Sequence, residues 1–251
     1  MLALIKADYF RIFRSRGFWI AQLLILGVVY LTASGGQFSI GASVAEESPQ
    51  VVLRTAYDTM LYASHNFSNY YFLYLPFFVI IVATDFTKKL YKNTITIGVS
   101  RGLLVVTKWV EFLLLNIVES LLIYGLSFGI ASLRLPLGHL SADAWLNLFL
   151  GFLLQVAVIQ IAYTLALVVL VVTKSTVLVT VFVFTWSIII TILYLFLKND
   201  LIMFVSVDAI LSNVQSILAN NTLLAKTLGV QFGLFIVGFL ASIQIFKRQS
   251  L

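Results

Sequence analysis

The sequence contains no cysteine and only two histidines, His65 and His139. Disulfides, thiolate metal sites, iron–sulfur clusters and cysteine nucleophiles are therefore excluded, and imidazole chemistry has little to draw on. Charge is also scarce. Ten acidic and sixteen basic residues make up 10% of 251 positions, against about a quarter in a soluble domain. What remains is apolar: 61% of the residues are hydrophobic and the mean hydropathy is +1.04. A soluble sphere of this size could not hide that much apolar surface from water, so a bilayer must form part of the solvent. The surplus of six positive charges then concerns placement about a membrane, and no nucleic-acid partner is expected.

An α-helix needs about 20 apolar residues to cross roughly 30 Å of hydrocarbon. Six segments qualify, at 18–34, 66–84, 103–131, 146–172, 176–197 and 227–246. The third and fourth are long enough to tilt or to begin in the interface, and Pro76 should kink the second. Trp19, Trp145 and the trio Tyr70, Tyr71 and Tyr74 fall near span ends, where interfacial aromatics belong. The runs are continuous rather than alternating, which excludes a β-barrel and predicts an all-α membrane protein. With the N-terminus inside, twelve basic residues fall on the cytoplasmic side. Arg54, Arg134, Lys198 and Lys226 are left outside. The outer segments hold Glu46, Glu47, Asp58, Asp143, Asp200 and Asp208. Six spans with both termini cytoplasmic satisfy the positive-inside rule at every loop. The first apolar run is longer than a signal-peptide core, so an uncleaved first span is expected.

Residues 1–17 predict a basic amphipathic helix in the interface, with Leu2, Ile5, Tyr9, Ile12 and Phe13 on one face. The connection at 85–102 is basic, and Phe86, Leu90 and Ile97 fit one stripe of a short helix, with Gly98 as cap or hinge. Residues 198–226 are apolar but repeatedly interrupted, by Asp208, Asn213, Gln215 and Asn220 among others. They predict short helices dipping into the outer leaflet, a candidate outer gate.

Several motifs fail on context. Ser34-Gly35-Gly36-Gln37 copies the core of the ABC ATPase signature, but the sequence has no phosphate loop and the tetrapeptide ends an apolar span. Gly98-Val99-Ser100-Arg101-Gly102 matches a nucleophile elbow, yet both histidines fall on the opposite side of the membrane. Glu46-Glu47 lacks paired histidines for a metal. The sequons at Asn66 and Asn220 are inert unless the host glycosylates. No enzyme activity, resident cofactor or metal is expected on this chain.

Ionisable groups at membrane depth are the stronger functional candidates, because lipid burial of a charge is costly. Glu111 has Lys108 at i−3 as an ordinary partner. Glu119 has no local cation. Gln155, Gln160, Tyr163 or Thr164 on the fourth span, or another subunit, should satisfy it. It is either a structural carboxylate or a substrate or proton site. With Asn116, Gln155, Gln160 and Tyr163 it forms the candidate substrate path, sparsely polar and suited to amphipathic cargo.

In order and length these parts resemble the permease subunits of type-2 ABC exporters, over most of the chain. The most specific match runs from Asp85 through Thr94, Gly98, Ser100 and Arg101 to Lys108. It is similar to the family's acidic residue, T…G.SR pattern and lysine opening the third span. The size resembles small permeases of peptide-export or lantibiotic-immunity systems. The resemblance implies an interfacial helix, a coupling helix between the second and third spans, and membrane-dipping helices before the sixth. It also implies a second permease copy, identical or paralogous, and separate ATPase subunits binding ATP and Mg on the cytoplasmic face of a bacterial plasma membrane. Phe86, Lys88, Lys89, Leu90, Lys92, Thr94, Gly98, Ser100 and Arg101 would couple to the ATPase, the N-terminal helix would touch its flank, and an antimicrobial or cytolytic peptide would be exported. The competing expectation is an ion- or proton-coupled carrier or channel using Glu119.

Overall fold

The computed structural model describes residues 2–34 and 53–249; Gly35, Gly36, Gln37, Glu46 and Glu47 lie outside the described residues. Those described form helices joined by short connections, with no strand among them. The protein is an all-α membrane protein. Six helices are long and apolar enough to cross a bilayer: Arg16–Ala33, Phe67–Thr87, Arg101–Ser132, Ala142–Thr173, Thr176–Leu197 and Asn221–Arg248, here the first to sixth spans.

The starts of these spans are written locally. Ser15, Ser100, Ser141, Ser175 and Asn220 each accept a hydrogen bond from the backbone N–H three residues on, satisfying a donor that the helix leaves free. Lys174 and Lys198 end the fourth and fifth spans in the left-handed conformation, so the fourth and fifth are joined by only a tight turn. Capped by Asn220, the sixth span starts at Asn221, six residues before the expected 227, which puts Lys226 inside the helix.

The second span departs most from expectation. A helix at Ala56–His65, opened by a reciprocal Thr55–Asp58 capping box, prolongs it at its N-terminal end. Together the two segments run antiparallel to the whole third span. Contacts follow in order: Tyr57 on Phe128, Phe67 on Tyr124, Tyr74 on Ser120, Phe78 on Phe112 and Asp85 on Lys108. Because of this extension, Tyr70, Tyr71 and Tyr74 are not interfacial aromatics. They are fully buried in the bundle. Pro76 interrupts the helix as expected: a 3-10 turn at Phe72–Tyr74 precedes it and a π turn at Val79–Ala83 follows. A prolyl ring has no N–H and collides with the carbonyl four residues back, and the flanking turns absorb that misfit.

The second and fourth spans form the core, with the first, third and sixth around them. The fifth packs on the fourth and leaves most of its surface exposed, including Val181, Phe184, Ile188 and Ile192. One end of the bundle, here the proximal end, holds the N-terminal helix, residues 88–100 and the close of the sixth span. The distal end holds residues 133–141 and three short helices, Asp200–Val205, Val207–Ser212 and Val214–Ala219. The broken pattern of 198–226 does form short helices as expected, and they are pinned rather than free. Trp186 of the fifth span donates to the Val205 carbonyl, Gln231 of the sixth to Phe204, and Ser212 to Ser68 of the second. Gly151 of the fourth span admits Val214, which would lie 3.3 Å from an added Cβ.

Candidate functional site

Two polar regions occur in this apolar bundle, one at the proximal end and one at membrane depth. The proximal one is built on Lys108, about two turns inside the third span. Its side chain is buried, and its ammonium lies 2.6 Å from Asp8, 2.6 Å from Asp85 and 3.0 Å from Glu111. Arg11 stands outside the lysine and reaches Asp85 at 2.8 Å and Asp8 at 3.2 Å. The Tyr9 hydroxyl donates to the Glu111 carbonyl at 2.8 Å. Burial and the neighbouring Glu111 push that hydroxyl up to about 12, which keeps it a donor. Five charged groups therefore join the N-terminal helix, the end of the second span and the start of the third. Lys108–Glu111 and Asp8–Arg11 are each visible as an i,i+3 spacing; that Asp8 and Asp85 reach Lys108 from other helices is not.

The proximal connection divides the residues expected to couple to an ATPase. Phe86 still belongs to the second span and is buried against Tyr91 and Phe246, with ring centroids 5.8 and 5.2 Å away. Lys89 turns the chain at φ 57°, a short helix follows at Tyr91–Thr96, and Gly98 turns it again at φ 99°. Phe86, Leu90 and Ile97 are thus not one helical stripe. Leu90 precedes the short helix, and Ile97 follows it with 83% of its surface exposed. Tyr91, with its ring 5.2 Å from Phe246, is what seats the helix on the sixth span. Lys88, Lys89, Leu90 and Ile97 face outward, with Lys92 and Thr94 half-buried. Ser100 is spent as the cap of the third span. Arg101 donates to the carbonyls of Lys247 and Gln249, and Gln249 donates to Val171 at 2.7 Å, so the proximal ends of the third, fourth and sixth spans are tied together.

Matched against models of known protein families, the chain fits none, and no curated protein matches it.

At membrane depth the candidate path residues are all buried, and each already has a partner. Tyr74 and Ser120 are hydrogen-bonded at 2.7 Å, Ser120 reaches Asn116, and Asn116 donates to the Val156 carbonyl at 3.0 Å. Tyr124 donates to Gln155, which itself donates to the Ser64 carbonyl at 2.8 Å. Gln160 donates to the Trp109 carbonyl and Tyr163 to that of Tyr71. These bonds bracket the second, third and fourth spans, as expected where lipid offers no alternative partner. Glu119 is the exception in its choice of neighbour. Its partner is Gln22 of the first span, donating at 3.2 Å, and not a residue of the fourth span as expected. Gln22 thus ties the first span to the middle of the third.

Proposed function

We propose that the chain is the membrane-spanning subunit of an ATP-driven exporter, related to the type-2 ABC permeases. In this reading the proximal end is cytoplasmic, and separate ATPase subunits bind there and hydrolyse ATP. A pair of permeases, identical or paralogous, passes an amphipathic cargo such as an antimicrobial peptide outward across a bacterial plasma membrane. The observation that carries this is the Tyr91–Thr96 helix. The chain on either side of it offers Lys88, Lys89, Leu90 and Ile97 to the exterior while Phe86, Tyr91 and Phe246 fix the helix to the second and sixth spans. An element that transmits force needs both properties, an open face for the partner and a stiff attachment to the spans. The excess of basic residues at the same end supports the cytoplasmic orientation.

The test is co-purification of a phosphate-loop ATPase with tagged chain from its own host, with residues 89–93 intact or replaced by Gly and Ser. The intact chain should retain the ATPase and the replaced one should lose it; equal retention removes the coupling role. A second reading, an ion- or proton-coupled carrier, draws on Glu119, a buried carboxylate whose hydrogen-bond partner among the described residues is a neutral amide. Flux driven by a pH gradient in vesicles lacking any ATPase, and lost in Glu119→Gln, would favour it.

A further inference from the structure

The N-terminal helix, Leu2–Phe13, does not carry its apolar residues on a single face as its sequence pattern implied. Ile12 is buried, and Tyr9 and Asp8 turn with it toward the bundle. Leu2, Phe10 and Phe13 turn the other way and are exposed, and Trp19 and Ile20 at the head of the first span continue the same apolar surface. The charges near this outward surface are of one sign. Lys6, Arg14 and Arg16 are exposed, while the only acidic residue between positions 2 and 34, Asp8, is occupied by Arg11 and Lys108.

We propose that this outward face is a seat for anionic phospholipid, with Lys6, Arg14 and Arg16 holding the acidic headgroups while Phe10, Phe13 and Trp19 lie in the acyl boundary. The aromatic platform is prepared for such a place. The Trp19 indole already donates to the Phe13 carbonyl at 2.8 Å, so its ring can enter a lipid layer without stranding a donor. Phe13 is braced edge-on against the buried Phe18 at 5.2 Å. The Arg14 guanidinium lies 4.3 Å over the Phe10 ring, which holds cation and apolar surface in one layer. Trp19 and Ile20 lead directly into the exposed Leu23 and Leu24 of the first span, so the same lipids that cover that span reach this helix. A zwitterionic headgroup would leave the cations without net compensation. Each basic residue near an anionic surface is worth about fivefold in affinity, so three give on the order of a hundredfold. The inference requires only that the spans sit in a bilayer and stands apart from the transport reading.

The experiment uses full chain in neutral detergent, titrated with phosphatidylglycerol or phosphatidylcholine carrying brominated acyl chains, with tryptophan quenching as the readout. Phosphatidylglycerol should quench a component that disappears in Trp19→Phe. At low salt it should do so with about a hundredfold higher affinity than phosphatidylcholine. The combined variant Lys6→Gln, Arg14→Gln, Arg16→Gln alters only exposed side chains and should fall to the phosphatidylcholine level. Equal affinities for the two lipids, a preference that survives the triple variant, or a quenched component that survives Trp19→Phe would each overturn the proposal. Quenching that vanishes when an ATPase partner is bound would assign the face to that partner instead.

Discussion

Lys108 and Asp8 are joined by a 2.6 Å ion pair across 100 positions of sequence, and this contact fixes the N-terminal helix to the end of the third span. Asp85 and Glu111 share the same ammonium. Buried ion pairs add little net stability when compared with apolar replacements, but removing one partner leaves the others stranded.

Lys108→Met should therefore destabilise the protein by about 3–5 kcal/mol, because three carboxylates lose their common cation. Thermal unfolding in detergent measures this. The chain has no cysteine of its own, so a single Ile12→Cys reports on the helix by its rate of thiol labelling. That rate should be low when Lys108 is present, since Ile12 is buried, and should rise sharply in the Lys108→Met background. Unchanged labelling would mean that apolar contacts alone hold the helix.

Gln22→Leu should cost about 1–3 kcal/mol, since it leaves Glu119 buried without its hydrogen-bond donor. Glu119→Gln keeps a polar pair with Gln22 and should cost less. Comparing the melting temperatures of the two variants checks this, and the opposite order would place the partner of Glu119 elsewhere.

Glycine positions provide an internal contrast. Gly138 has φ 80°, and an added Cβ would fall 2.7 Å from Thr55; Gly138→Ala should cost about 1–3 kcal/mol. Gly125 and Gly129 in the third span have no neighbour within 4 Å of a Cβ. Alanine at either should be neutral or stabilise the helix by up to about 1 kcal/mol. Melting of the three variants side by side decides it.

Phe246→Ala removes the ring that both Phe86 and Tyr91 lean on and should cost about 3 kcal/mol. Hydrogen exchange across residues 88–98 should accelerate while the membrane-buried core stays protected, and retention of a partner ATPase should fall with it. Exchange unchanged in that segment would show that the short helix is held by its other contacts.

The six spans were legible because twenty-residue apolar runs and their serine or asparagine caps are local signals. Features that depended on distant partners were not. The tyrosines at 70, 71 and 74 look interfacial until Ala56–His65 is seen to lengthen their span, and that helix is too polar to announce itself as part of the bundle. Glu111 looks ordinary beside Lys108 because Asp8 and Asp85 are remote in sequence. The polar residues of the fourth span make it the expected source of a partner for Glu119, whereas the partner is Gln22 of the first. Nothing in a single sequence reports that the first span lies closer to it.

The interruption at Pro76 has one more consequence. Three residues of 3-10 turn overwind the second span, and the π turn beyond the proline underwinds it. The two errors of rotation oppose each other. Phe67 and Tyr74 before the break, and Phe78 and Asp85 after it, all face the third span. The least regular helix in the bundle thus keeps its contacts with the third span in line on both sides of the break.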